Sequence, residues 1–258
     1  MAGKVHVFVD GDERGFLSQG IDGKKVSRAP APRNPVQDSM LPLTGLHPRR
    51  NRTKKSAPIR TAALAGVLGP PLFATVLAAL TAIQYDFMLG IGWRPLGDPT
   101  GAWPSGLALG PYGWVMDLGF AVSGILLMVF AFGLHRGLPR GSKAGPALLF
   151  LCGATMALLA FETDPIRRTG PRSWHGFIHD AAFVVFAAAL LLTLVALWRR
   201  MRGDPAWRRH ARLTFATAVV CASCLVLPGV AYYLFLAAAL AWIEATALKV
   251  RASVRPPG

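Results

Sequence analysis

Two histidines and an acid, His175, His179 and Asp180, begin a long apolar run and are the residues of this chain best suited to chemistry. Imidazole nitrogens titrate near neutral pH and bind transition metals, and carboxylates complement them in both roles. Histidines four residues apart share one face of a helix, whereas Asp180 projects about 100° away from His179. The segment therefore predicts a polar cluster at one end of a helix.

The elements that position this cluster are apolar runs long enough to cross a membrane. Hydrophobic residues make up 53% of the 258 residues and the mean hydropathy is +0.40, above the average of about 45–50% for soluble domains. A helix needs about 20 apolar residues to span about 30 Å of hydrocarbon. The sequence therefore predicts an all-α polytopic membrane protein, a bundle of six transmembrane helices at residues 61–84, 113–134, 144–161, 175–197, 213–230 and 232–250.

The segments outside the runs are basic. Residues 1–60 contain 12 Lys and Arg, five acids and no apolar periodicity long enough to bury a core, which predicts a disordered cytoplasmic tail. Residues 251–258 form a second, short tail. The basic run at residues 49–55 either binds anionic headgroups or only fixes the orientation of the first span.

The distribution of basic residues predicts an orientation in the cell membrane. With six spans, all but four of the 28 Lys and Arg fall on one side. The positive-inside rule places that side, with both termini, in the cytoplasm. The charge of +15 is thereby explained by topology, so we predict anionic headgroups at the cytoplasmic face as partners and no nucleic acid. The four exceptions are Arg94, Arg167, Arg168 and Arg172.

This topology places the ionisable residues of several spans at one outer level. Such groups are costly at membrane depth and normally face the interior of the bundle or a water-filled cavity. We therefore expect a shared cavity that opens outward. Its candidate binding residues are Asp86, Asp117, Glu162, Asp164, His175, His179 and Asp180.

Three motifs carry a resemblance to a known family. Residues 110–114 (Gly-Pro-Tyr-Gly-Trp), 163–165 (Thr-Asp-Pro) and 174–180 (Trp-His-Gly-Phe-Ile-His-Asp) follow one another in order. Together they resemble the bacterial membrane family known as domain of unknown function 998, over residues 62–250. The resemblance implies six spans and gives weight to the Asp-Pro and His-x3-His elements. It implies no activity.

Three interpretations of the polar cluster remain open. In the structural one, His175 and Asp180 cap and position the fourth helix, while Asp117 and His179 make interhelical hydrogen bonds. In the second, the cavity binds or transports a small ligand, a lipid or an ion. In the third, His175 and His179 hold zinc with Asp164, Asp117 or Glu162 as third ligand, for hydrolysis of a lipid or peptide at the outer leaflet. The sequence assigns no catalytic residue.

Overall fold

The computed structural model describes residues 50–94, 104–138, 143–165, 170–227 and 231–253. The chain divides into Met1–His47 and Pro48–Gly258, and every described residue belongs to the second unit. Most of the predicted tail lies outside the described residues, so its disorder stays a prediction.

Helices account for the regular structure of the described residues, as the composition predicts. A 3-10 helix, Pro104–Leu109, precedes the third α-helix. The α-helices are α1 (Arg50–Ile83), α2 (Tyr85–Gly90), α3 (Gly113–Gly137), α4 (Ala144–Leu158), α5 (Trp174–Met201), α6 (Arg208–Val226) and α7 (Ala231–Ser253).

Several helices extend beyond the apolar runs that predicted them. α1 begins at Arg50 rather than at residue 61, so the last part of the predicted tail is helical. α6 begins at Arg208 rather than at residue 213, and α7 continues to Ser253. Hydropathy detects only the part of a helix that is apolar, whereas Arg, Lys and Ala favour helix equally well outside it.

Among the described residues, four helical segments are long and apolar enough to cross a bilayer, judged by length and composition. α4 is apolar but has only 15 residues, about 22 Å of helix. α6 has 19 residues, and its first turns carry three arginines. The chain is therefore an integral membrane protein with several spans. The four segments are Pro58–Ile83, Gly113–Arg136, Trp174–Met201 and Ala231–Ser253.

The six α-helices other than the short α2 form a closed ring. In ring order, α1 packs on α3, α3 on α4, α4 on α5, α5 on α6, α6 on α7, and α7 on α1 again. Large side chains such as Phe130, Leu190 and Trp242 are fully buried in it. The backbones of α3 and α4 approach each other closely, since a Cβ atom on Gly124 would lie 2.6 Å from the carbonyl oxygen of Gly153. Only glycine permits these two backbones to touch.

Buried hydrogen bonds tie α6 to α7. The Trp242 indole donates to the Thr214 hydroxyl over 3.0 Å, and His210 Nε2 lies 3.0 Å from the Thr246 hydroxyl. That hydroxyl donates to the Trp242 carbonyl, so the His210 nitrogen donates to it. These contacts make α6 a full member of the ring despite its basic first turns.

Candidate functional site

Both histidines of the motif bond to the chain that follows α4. His179 Nδ1 lies 2.8 Å from the carbonyl oxygen of Phe161, and His175 Nδ1 lies 3.0 Å from that of Glu162. A carbonyl oxygen only accepts, so Nδ1 carries the proton in both rings. The histidines thus join the start of α5 to backbone carbonyls of the segment that follows α4.

Ser173 caps α5 and links it to Asp164. Its hydroxyl accepts the Gly176 backbone N–H at 2.9 Å, which is the N-cap bond of the helix. It donates to Asp164 Oδ1 at 2.6 Å, and the Ser173 N–H donates to Oδ2 at 3.2 Å. The N-cap is therefore Ser173, and the expectation that His175 and Asp180 cap this helix is wrong. The hydroxyl satisfies a first-turn N–H directly, which neither of those side chains does.

Gly176 belongs to the same arrangement because of its small size. A Cβ atom at this position would collide with the Asp164 carboxylate. The glycine between the two histidines therefore leaves the room that the carboxylate occupies. The sequence analysis does not predict the roles of Ser173 and Gly176, although a serine just before a helical run is a typical N-cap signal.

Asp180 of α5 forms an ion pair with Arg172, which directly precedes the N-cap residue of that helix. Both side chains are 46% exposed, so the pair lies at the surface and contributes little stability. Asp180 and His179 project in different directions around α5, yet both contribute to the wall of one cavity.

This cavity has a volume of about 530 Å³ and lies within the helical ring. Its walls are aromatic, with Phe73 of α1, Phe120 of α3, Phe186 of α5 and Phe235 of α7. We call the end of the bundle at which it lies the cavity end, formed by the 3-10 helix, the α4–α5 connection and the first turns of α5 and α7. Its polar rim consists of Ser105, Thr163, Asp164, Arg172, His179 and Asp180.

Only some of the seven candidate residues line the cavity. Asp164, His179 and Asp180 line the cavity, whereas His175 bonds to the Glu162 carbonyl beside it. The Glu162 side chain is exposed, as is Asp86 in the first turn of α2. Asp117 Oδ1 is buried without a hydrogen-bond partner among the described residues.

The expected metal ligands are not brought together. Among the described residues, no three His, Cys, Asp or Glu side chains lie close enough to hold a metal ion. Because Nδ1 of His175 and of His179 donates to a carbonyl, Nε2 is the one nitrogen of each ring that could bind a metal, and no third ligand of the described residues lies near both. The described residues therefore do not bring together the donor set that was expected for zinc.

Sequence comparison assigns the family. A model of the family described as "Protein of unknown function (DUF998)" matches residues 67–251, which include the whole cavity wall and both tied histidines. No curated protein and no solved structure matches the chain. The chain belongs to the DUF998 family.

Proposed function

We propose that this protein binds a small amphiphile in the cavity of a six-span helical ring. The observation that carries the proposal is the division of the cavity wall into an aromatic interior and a polar rim. Its volume of about 530 Å³ lies within the range of about 300–1,000 Å³ typical of small-molecule sites. An apolar tail among the phenylalanines and a polar head at the rim match that division.

His179 is the rim residue best placed to bond the head of the ligand. Its side chain is only 4% exposed, and its edge meets the Phe120 ring with centroids 6.2 Å apart. Because Nδ1 donates to the Phe161 carbonyl, the neutral ring offers Nε2 as an acceptor. A hydroxyl or amine on the ligand satisfies that nitrogen.

The six spans and their orientation are part of the proposal. A closed ring needs α4 and α6 alongside the four longer helices, and buried hydrogen bonds hold α6 against α7. Residues 198–212, which are the end of α5, the loop and the start of α6, contain six arginines and one acid, whereas Arg172 is the single arginine of the described cavity wall. The positive-inside rule then puts the cavity end outside and both termini in the cytoplasm.

This orientation predicts which end of the protein a reagent added outside the cell can label. In intact cells, a membrane-impermeant maleimide should label Tyr112→Cys, which replaces a half-exposed residue beside α3. It should label Asp204→Cys, in the loop between α5 and α6, only after lysis. The native cysteines are buried, and the unsubstituted protein measures their background. The reverse labelling pattern would overturn the orientation.

Filling the cavity tests ligand binding directly. Leu159 is buried in the cavity wall, whereas Leu158 beside it is 43% exposed on the bundle surface. Native mass spectrometry of the gently solubilised protein should find one bound amphiphile in wild type and in Leu158→Trp. In Leu159→Trp occupancy should fall about tenfold, because the indole takes the ligand volume. Equal occupancy in both variants, or none in wild type, would contradict the proposal.

We also propose that the opposite end, the basic end, contacts anionic headgroups. Arg199, Arg202, Arg208, Arg209 and Arg212 are exposed there, and Arg202 lies over the Trp198 ring, 5.1 Å from its centroid. Tryptophan at the headgroup level and neighbouring arginines are typical of a membrane interface.

Anionic lipid should therefore stabilise the protein through these arginines. Replacing phosphatidylcholine with phosphatidylglycerol in nanodiscs should raise the thermal unfolding temperature of wild type. Arg208→Gln, Arg209→Gln and Arg212→Gln together should remove most of that gain, about 1 kcal/mol for each residue. Arg94→Gln, an exposed arginine elsewhere, serves as control. An equal gain in all three proteins would exclude headgroup contact at this site.

A further inference from the structure

A second cavity, the small cavity, lies deeper in the helical ring. Its volume of about 20 Å³ is enough for one water molecule, which needs about 10–15 Å³, and is far too small for a lipid chain. Residues of α1, α3, α4 and α7 form its wall, and all of them except Leu240 are buried. Met156 of α4 also lines the amphiphile cavity, so the two cavities are neighbours.

Ser123 of α3 contributes a hydroxyl to the wall of the small cavity. The residue is 3% exposed, and its Oγ has no hydrogen-bond partner among the described residues. Nearly all buried hydroxyls are hydrogen-bonded, because a polar group that leaves water without a new partner costs free energy. This hydroxyl can donate one hydrogen bond and accept two. A polar ligand in the small cavity satisfies it.

The backbone of α1 contributes polar groups to the same wall. Gly66 and Gly69 line the small cavity, and a glycine lines a cavity only with backbone atoms. Pro70 belongs to the wall as well, and it lies inside α1, where a proline has no N–H to donate. The Gly66 carbonyl oxygen therefore lacks the donor that the fourth residue along supplies in a regular helix. It is an acceptor beside the small cavity.

Contacts between α1 and α3 place this carbonyl near the level of Ser123. Two contacts lie on either side of that level: a Cβ atom on Gly69 would lie 3.5 Å from Leu126 Cβ, and the Phe73 and Phe120 rings have centroids 5.2 Å apart. In α3, Ser123 lies between Leu126 and Phe120, and in α1, Pro70 lies between Gly69 and Phe73. Helical carbonyl groups point toward the C-terminus, so the Gly66 carbonyl points toward the turn of Pro70.

The small cavity lies near the middle of the membrane. Pro70 and Ser123 are close to the centres of the spanning segments Pro58–Ile83 and Gly113–Arg136. The hydrocarbon core offers no bulk water to polar groups. Where a proline interrupts a spanning helix, hydroxyl side chains of neighbouring helices and ordered water molecules satisfy the freed backbone groups. Both the hydroxyl and the space for one water are present here.

We propose that the small cavity binds one water molecule, which donates to the Gly66 carbonyl and hydrogen-bonds with the Ser123 hydroxyl. This water joins α1 to α3 at the point where Pro70 interrupts the hydrogen bonds of α1. The wall contains no charged side chain, so a neutral ligand fits it better than an ion does. The site is separate from the amphiphile cavity and does not depend on amphiphile binding.

Radiolytic footprinting tests for the water directly. Hydroxyl radicals that X-rays generate from a bound water oxidise the side chains next to it. In the full chain in nanodiscs, Leu127 and Ile243 should become oxidised, because they line the small cavity but not the amphiphile cavity. Leu190 and Leu194 are fully buried outside both walls and should remain at background.

Two matched variants test the hydroxyl. Threonine and valine have the same shape, but only threonine has a hydroxyl group. Oxidation of Leu127 and Ile243 should therefore persist in Ser123→Thr and be lost in Ser123→Val. Pro70→Ala supplies an N–H to the Gly66 carbonyl, which takes a partner from the water, and should lower the oxidation as well.

Each outcome addresses one part of the proposal. Background oxidation of Leu127 and Ile243 in wild type would overturn the water site. Equal oxidation in Ser123→Thr and Ser123→Val would show that the hydroxyl does not hold the water, and wild-type oxidation in Pro70→Ala would show the same for the carbonyl. An unfolding temperature that is higher in sodium than in choline chloride for wild type, but not for Ser123→Val, would assign the site to a cation and overturn water as the ligand.

Discussion

Replacing His179 with alanine should lower the free energy of unfolding by about 2–4 kcal/mol and abolish retention of the amphiphile. Two losses combine in this variant. The buried ring leaves a void beside Phe120, and the Phe161 carbonyl loses its donor at 2.8 Å. Thermal unfolding in detergent micelles measures the first effect, and native mass spectrometry of bound ligand measures the second.

His179→Asn separates the structural role from binding. The asparagine amide can donate from nearly the position of Nδ1 but has no counterpart of Nε2. We expect it to recover about 1 kcal/mol relative to alanine while ligand retention stays lost. His135→Ala, an exposed histidine near the end of α3, should change neither quantity. Full ligand retention in His179→Asn would show that Nε2 does not contact the head.

Asp164→Ala should lower the free energy of unfolding by about 1.5–3 kcal/mol, because its carboxylate accepts charge-assisted hydrogen bonds from the Ser173 hydroxyl and N–H. Gly176→Ala should destabilise the protein from the opposite side, since its Cβ collides with the same carboxylate. Glu162→Ala, an exposed acid two residues away, is the matched control and should stay within about 0.5 kcal/mol of wild type.

A double-mutant cycle measures the coupling free energy between Ser173 and Asp164 directly. Ser173→Ala and Asp164→Ala remove the two partners of one hydrogen-bond unit, so their effects should be strongly non-additive. We expect a coupling free energy of about 1–2 kcal/mol in chemical or thermal unfolding. Additive effects would show that the Ser173–Asp164 link contributes nothing to the stability of the α4–α5 connection.

The sequence predicts the helical architecture well because a single physical requirement dominates it. Runs of about 18 or more apolar residues have few alternatives to a spanning helix, and α1, α3, α5 and α7 each contain one. The boundaries are less predictable at the basic end. Arg208 continues a helix as readily as leucine does, but hydropathy assigns it to a loop.

The candidate site shows the opposite balance. The motif at residues 174–180 predicts a cluster of polar groups, because ionisable residues beside a span rarely lack a partner. The hydrogen-bond partners of its two histidines could not be predicted, because the Phe161 and Glu162 carbonyls are backbone groups and carry no sequence signal. Arg172 has a sequence signal for topology but none for its place in the cavity rim.

The aromatic wall of the cavity could not be predicted from the sequence either. Phe73, Phe120, Phe186 and Phe235 each occur inside an apolar run, where phenylalanine is ordinary. Their convergence depends on the order in which the helices close into a ring, and no local pattern encodes that order.

The most direct test of amphiphile binding is an experimental structure of the protein extracted with its native lipids, without detergent. We predict elongated density in the cavity, with a polar end within hydrogen-bond distance of His179 Nε2. Its tail should lie among Phe73, Phe120 and Phe235. A cavity filled by rearranged side chains, or one that holds only ordered water, would contradict amphiphile binding.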